Sequence, residues 1–312
     1  MGNVIQTTGT IIICVEFMIG KVGNGFIVLV NFIDWVKRRK ISLADQILTA
    51  LAISRIAVLW LVFTNWWIST FYPTLYMVEK TLRIFNVVWV VTNHFSIWLA
   101  TCLSIFYFLK IANFSNSVFL YLKWRVKKVV SVILLVSLVF FFFNIILINI
   151  HINAWFDVYK GNMTCTASLI NYVQFSHFLL LTNASFTFIP FVVTLITFLL
   201  LMSSLWKHLR TMQRDAQGPR DASTKAHITT MKSIIAFLLL YAIFFLSYII
   251  PAWNFDFWEK RLTIMFCQLA ALAFPSGHSC VLILVNHKLR QTSLLVLWWL
   301  RCRLKGGDSS GP

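Results

Sequence analysis

Ile27-Val28-Leu29-Val30-Asn31-Phe32-Ile33-Asp34-Trp35-Val36-Lys37-Arg38-Arg39-Lys40 decides the fold: a long apolar run stops at four consecutive bases. Basic clusters recur at Lys123 to Lys128 with Lys110 upstream, at Lys207 to Lys232, and from Lys288 to Lys305. Between them lie seven apolar segments of about 20 residues or more, the length a helix needs to cross the hydrocarbon core of a bilayer. They are predicted at 7–33, 45–68, 85–109, 129–150, 179–205, 230–250 and 262–285, called spans 1 to 7 below. All are expected to be helical, because an open strand in lipid leaves its backbone groups unpaired. The expected fold is an all-α membrane bundle of seven spans over residues 1–285, followed by a tail at 286–312.

Charge fixes the expected orientation. Threading the chain through seven crossings puts about 20 of the 27 Lys and Arg on one face, about 5 on the other, and Lys21 and Arg55 inside the bilayer. The basic face is the expected cytoplasmic one, so the N-terminus lies outside and the C-terminus inside. The net charge of +17 therefore reflects insertion topology, with attraction to anionic lipid or an acidic partner second, and not nucleic-acid binding. With 59% hydrophobic and 12% charged residues and a mean hydropathy of +0.79, most of the surface is expected to face lipid. No basic n-region precedes the first apolar run, so span 1 is expected to act as an uncleaved anchor. The six cysteines form no CxxC or Cys/His metal spacing, and no metal or cofactor is expected. Cys165 with Cys267 is the one pair that could form a disulfide near the outer side.

The outer loop about 151–178 carries Asn162-Met163-Thr164, the one Asn-x-Thr/Ser match that faces outside in this topology, and so the expected glycan site. Gln217-Gly218-Pro219 marks a polar connection between spans 5 and 6. In the tail, bases flank Leu294 to Leu300 with Trp298 and Trp299, a pattern for a helix lying in the membrane interface, with Cys302 a candidate for palmitoylation. The final Gly306 to Pro312 has the composition of a disordered end.

Arg55 in span 2 is the costliest residue to bury. It either snorkels inward or forms a polar hub joining Asn24 of span 1 to span 7, and the hub is the stronger reading. Glu16 and Lys21 either pair loosely or rise to the outer interface. Pro190 and Pro275 each remove a helix hydrogen bond and are expected to bend spans 5 and 7. Aromatic and amide residues crowd the outer thirds of the spans: Asn65, Trp66 and Trp67; Trp89, Asn93 and His94; Thr187; Tyr241 and Phe244; Gln268. Trp66 and Trp67 point to opposite sides, one inward and one to lipid. Such a wall suits a small apolar ligand held by stacking or cation–π contact. Pro275-Ser276-Gly277-His278 matches one element of membrane phosphatidic-acid-type phosphatases, but the chain has no Arg-Pro, and Leu61 stands where the partner histidine would fall. An isolated tetrapeptide assembles no catalytic site, so no enzyme is expected. A seven-helix ion channel of the insect type would have its N-terminus inside, against the charge distribution.

Seven spans with the N-terminus outside is the plan of a G-protein-coupled receptor, yet span 3 ends without Asp/Glu-Arg-Tyr and span 7 lacks Asn-Pro-x-x-Tyr. The chain resembles instead the type 2 (bitter) taste receptor family. The resemblance is carried by Asn24-Gly25-Phe26-Ile27, Leu51-Ala52-Ile53-Ser54-Arg55, Trp98-Leu99-Ala100-Thr101-Cys102-Leu103-Ser104, Phe106-Tyr107-Phe108-Leu109-Lys110, Ser204-Leu205-Trp206-Lys207-His208-Leu209 after Pro190, and His278-Ser279, in order and spacing over about residues 20 to 300. It implies a plasma-membrane receptor for small bitter compounds that activates a gustducin-like heterotrimeric G protein, with phospholipase C and calcium release downstream. It implies an agonist pocket at Trp66, Trp89, Asn93, Thr187, Phe244 and Gln268, and an inner switch at Asn24, Arg55, Tyr107, Lys110, His208 and His278. Lys110 and His208 are expected at helix ends. Two departures stand out: Lys21 replaces a usually uncharged residue, and Gln268 stands where some members carry a carboxylate.

Overall fold

The computed structural model describes the backbone of residues 2–38, 41–76, 78–161, 165–215, 222–253 and 257–307, and side chains within 7–37, 41–72, 74–75, 78–157, 177–211, 228–250 and 265–303. Among the described residues ten helices follow one another: α1 (Gly2–Arg38), α2 (Leu43–Phe71), α3 (Pro73–Tyr76), α4 (Glu79–Ile111), α5 (Ser117–Trp124), α6 (Val126–Gly161), α7 (Cys165–Asp215), α8 (Ala222–Trp253), α9 (Phe257–Val285) and α10 (His287–Gly307). Among the described residues seven of them, α1, α2, α4, α6, α7, α8 and α9, are long and apolar enough to cross a membrane. They correspond to spans 1 to 7.

α4 stands at the centre, against α2, α6 and α7, while α9 closes the bundle against α8, α1 and α2. The most apolar window of α4 is 61% buried and that of α6 only 17%, so α4 is surrounded by protein and α6 mostly by lipid. One continuous core runs through Leu51, Leu59, Ile97, Cys102, Phe237, Tyr241, Phe274 and Leu282. Trp66 is 7% exposed and Trp67 45%, so one faces the core and the other the lipid, as the alternation required.

Helix starts have local causes. Ser42 Oγ accepts the Asp45 N–H at 3.1 Å and donates to Asp45 Oδ2 at 2.8 Å, a reciprocal cap that begins α2. Asn116 Oδ1 accepts the Val118 N–H at 2.9 Å and begins α5; Asn286 Oδ1 accepts the Leu289 N–H at 3.2 Å and begins α10. Several ends lie beyond the predicted spans. α6 runs to Gly161 and α7 begins at Cys165, so much of the expected outer loop is helical. α7 also continues to Asp215, because Leu205 and Leu209 keep an apolar face buried at helical spacing. His208 is therefore inside a helix and not at its end, while Lys110 does lie in the last turn of α4. α7 and α9 run through Pro190 and Pro275 as continuous helices.

The tail is fastened at its base. Lys288 Nζ lies 2.8 Å from Asp34 Oδ2 and 3.6 Å from Asp45 Oδ1, and donates to Asn31 Oδ1 at 2.9 Å, joining α10 to α1 and α2. Further along, Leu294 to Leu300 are all exposed on the protein. Lys288→Met is expected to lower the melting midpoint of the detergent-solubilised protein by roughly 2–4 °C, the size of about 1 kcal/mol from a partly exposed network. An unchanged midpoint would show that Leu289, fully buried beside it, holds α10 alone.

Candidate functional site

Two regions of the bundle collect the candidate residues, one near the end opposite the basic clusters and one from mid-depth to the basic end. At the far end α4 and α8 meet through Tyr248. Asn93 Nδ2 donates to the Tyr248 hydroxyl at 3.1 Å, and Thr187 of α7 and Trp89 of α4 lie beside the same tyrosine. The Phe244 ring stands edge-on to Tyr248 with centroids 5.4 Å apart, and Trp89 lies 6.5 Å away. Asn93, Thr187, Phe244 and Tyr248 are all buried. Four of the six residues singled out for ligand contact thus lie around one tyrosine.

The other two stand apart from that group. Trp66 packs with Phe63, Trp67 and Phe71 of its own helix. Gln268 is half-buried on α9, where its neighbour Cys267 is a free thiol directed at the Ser247 carbonyl at 3.2 Å. The side chain of Cys165, the other cysteine of the possible outer pair, lies outside the described residues. Tyr248 escaped the sequence reading although Tyr241, Phe244 and Tyr248 follow at helical spacing; that periodicity was the available signal.

At mid-depth, Arg55 and His278 are 0% and 5% exposed. The Arg55 Nη2 donates to His278 Nδ1, which puts the imidazole proton on Nε2. The guanidinium lies over the Phe274 ring at 5.4 Å, and its Nε and Nη1 find no hydrogen-bond partner. Arg55 is thus a buried hub, as expected, but its link runs to His278 and not to Asn24. It lies twelve residues beyond the start of α2. Asn24 makes a separate junction between α1 and α9: it donates to the Gly20 carbonyl at 2.8 Å and the Pro275 carbonyl at 3.4 Å, and accepts from Ser279 Oγ at 2.7 Å.

Below this layer a cavity of about 360 Å³ lies between α4, α7, α8 and α9, with Ser104, Tyr107, Phe198, Phe237 and His278 in its wall. His278 therefore touches both the cavity and Arg55. Lys110 and His208 are exposed at the same end but are not part of that wall. On α4 and α7, Thr101 Oγ1 lies 2.9 Å from Thr194 Oγ1 and 3.4 Å from the Pro190 carbonyl, a polar contact at the proline of α7.

Lys21 and Glu16 do not pair among the described residues. The Lys21 ammonium sits 4.4 Å from the Trp60 ring centroid and 5.5 Å from Phe17, and Glu16 Oε2 is buried without a hydrogen-bond partner. They lie five positions apart on the helix, so their side chains diverge. The Pro275-Ser276-Gly277-His278 stretch is absorbed by packing: Ser276 Oγ donates to the Glu16 carbonyl at 2.9 Å, a Cβ on Gly277 would lie 3.0 Å from Leu240 Cδ1, and His278 holds Arg55. Asn162 lies outside the described residues.

Seven membrane-spanning helices, a polar junction at mid-depth and a cavity at one end are the frame of a membrane receptor. The taste receptor protein (TAS2R) family matches residues 1–301, and the chain belongs to it. It is 58% identical to taste receptor type 2 member 14 of Macaca mulatta and 57% identical to that of Homo sapiens, each over 311 residues covering 100% of this chain and 98% of the relative. It is also 55% identical to taste receptor type 2 member 140 of Rattus norvegicus over 302 residues, 97% of each chain. The protein is thus a multi-pass receptor of the plasma membrane, of the G-protein-coupled class, and not an enzyme.

Proposed function

We propose that this receptor binds small bitter compounds beside Tyr248 and, through the Arg55–His278 layer, opens its basic end to a gustducin-like heterotrimeric G protein, with phospholipase C and calcium release following. The observation that carries the reading is the grouping of Trp89, Asn93, Thr187 and Phe244 around Tyr248, with Asn93 bonded to its hydroxyl. An aromatic wall with a few amide and hydroxyl groups takes a flat apolar ligand that presents one or two polar atoms. Such a ligand would exchange the internal hydrogen bonds of Tyr248 for its own, and α8 would move with Tyr248. α8 also carries Phe237, whose ring is 4.2 Å from His278, so displacement there reaches the hub and the cavity wall. Trp66 and Gln268 would line the approach to the pocket. The bases near Lys110, Lys123 to Lys128 and Lys207 to Arg214 lie on the cytoplasmic face by the positive-inside rule and face the α subunit, with Lys110 and His208 at the rim. Tyr107 would stand in the cavity that the α subunit enters. A ligand acts by favouring the open state over the closed one, and only its difference in affinity for the two counts.

The test is a calcium assay in cells that carry a gustducin-type chimeric α subunit, against a panel of bitter compounds. The expected result is a response that requires the α subunit and loses about tenfold in potency with Trp89→Ala at equal surface amount, the scale of one aromatic contact. A response indifferent to both Trp89→Ala and Tyr248→Phe would place the pocket elsewhere. Mapping glycan attachment at Asn162 in the same cells checks the orientation: an attached glycan is expected, and its absence together with an accessible C-terminus on intact cells would invert the topology.

A further inference from the structure

Lys21 is a cation at the middle of a membrane span. It lies fourteen residues from Thr7 and sixteen from Lys37, the bounds of the described spanning stretch of α1. That stretch is about 45 Å long at 1.5 Å per residue, more than the hydrocarbon core of about 30 Å, so a core centred on it leaves Lys21 about 15 Å from either edge, farther than a four-carbon stem can reach. The chain answers with aromatic rings: Trp60 at 4.4 Å and Phe17 at 5.5 Å, Phe17 being stacked on Phe63. Trp60 is itself at mid-depth of α2, far from the interface where tryptophans anchor. Rings stabilise one face of an ammonium but accept no conventional hydrogen bond, and among the described residues no carboxylate pairs with Lys21. A membrane-embedded cation ordinarily faces a partner group in protein.

The surface around Lys21 is open to such a partner. Met18, Val22, Ile53 and Trp60 are 45–67% exposed and form one apolar face across α1 and α2. One turn below Lys21 on the same side is Gly25, where an added Cβ would meet nothing within 4 Å. Among the described residues no contact requires glycine there. A notch with no internal purpose beside an unmatched charge fits close approach of another helix backbone.

We propose that this face of α1 and α2 docks the transmembrane helix of another membrane protein, one that carries an aspartate or glutamate near the middle of its span. The carboxylate meets the Lys21 ammonium while the rings of Phe17 and Trp60 exclude lipid from the pair, and the partner backbone lies over Gly25. A second copy of this chain is the wrong occupant. A two-fold pair in one membrane brings Lys21 toward Lys21, and the mid-span acid Glu16 shares its helical face with Gly20 and Asn24, which are turned to α9. The docking does not depend on the ligand or the G protein.

The test uses energy transfer between the full-length receptor and a synthetic single-span helix of leucines, expressed together in cells at matched surface amounts. Three spans are compared: one with a central aspartate, one with leucine at that position, and one with the aspartate moved to the membrane edge. The central aspartate is expected to raise association about tenfold over the other two. Lys21→Leu should abolish that gain and Lys21→Arg should keep it. Gly25→Leu should also abolish it, and because the added side chain enters open space it leaves the receptor's own fold undisturbed. Equal transfer from all three spans, or an aspartate-dependent gain that survives Lys21→Leu, would overturn the proposal.

Discussion

His278→Leu is expected to leave less than about a tenth of the normal receptor at the cell surface, because a buried charge stripped of its partner costs about 3–5 kcal/mol against a total stability of about 5–15. The Arg55 guanidinium is fully buried, its one hydrogen bond among the described residues goes to His278 Nδ1, and it lies over the face of Phe274. With leucine at 278 no protein acceptor faces the cation. Arg55→Met/His278→Leu together should recover much of the loss, since apolar residues of similar volume replace a buried polar pair at little cost. That double variant should nevertheless respond poorly to agonist, as His278 also lines the cavity at the basic end. Surface labelling and melting midpoints of the single and double variants decide the matter. If His278→Leu reaches the surface normally and melts with the wild type, Arg55 is not held by His278.

The second large effect is expected at Asn24. Asn24→Ala removes a side chain that bonds the Gly20 and Pro275 carbonyls and receives Ser279 Oγ, all in a layer closed to solvent. The cost is about 2–3 kcal/mol, combining lost hydrogen bonds with a small cavity, or roughly 5–10 °C in melting midpoint. Asn24→Asp is a sharper probe, since it keeps the shape and replaces both donors with an acceptor facing two carbonyls. It should fall below Asn24→Ala in surface amount. A milder effect than alanine would mean that Asn24 acts through shape and not through its donors.

The seven spans were legible because lipid demands long apolar runs, and such runs leave little ambiguity of number or type. Helix ends were less so. α7 outruns its apolar window to Asp215 because one buried stripe, Leu205 and Leu209, continues beneath a polar exterior. Arg55 could be recognised as a hub from its cost alone, but its partner lies 223 residues away, and nothing in spacing distinguishes His278 from Asn24 as the acceptor. Trp89 and Asn93 were readable as a pair because four residues on a helix share a face. Tyr248, where they converge, belongs to another helix and became visible only with α8 packed in place. Lys21 was conspicuous by charge, yet its association with Trp60 depends on how α1 is rotated against α2, which no local pattern records.

The thin cover of protein over α6 has an evolutionary corollary. Most of its surface answers to acyl chains, which do not distinguish leucine from phenylalanine or valine, whereas α4 is bounded by three other helices that do. Substitutions can therefore accumulate along the outward side of α6 as related receptors diverge, exchanging one apolar residue for another. New ligand preferences, by contrast, must be negotiated on α4, where each change is felt by several neighbours at once.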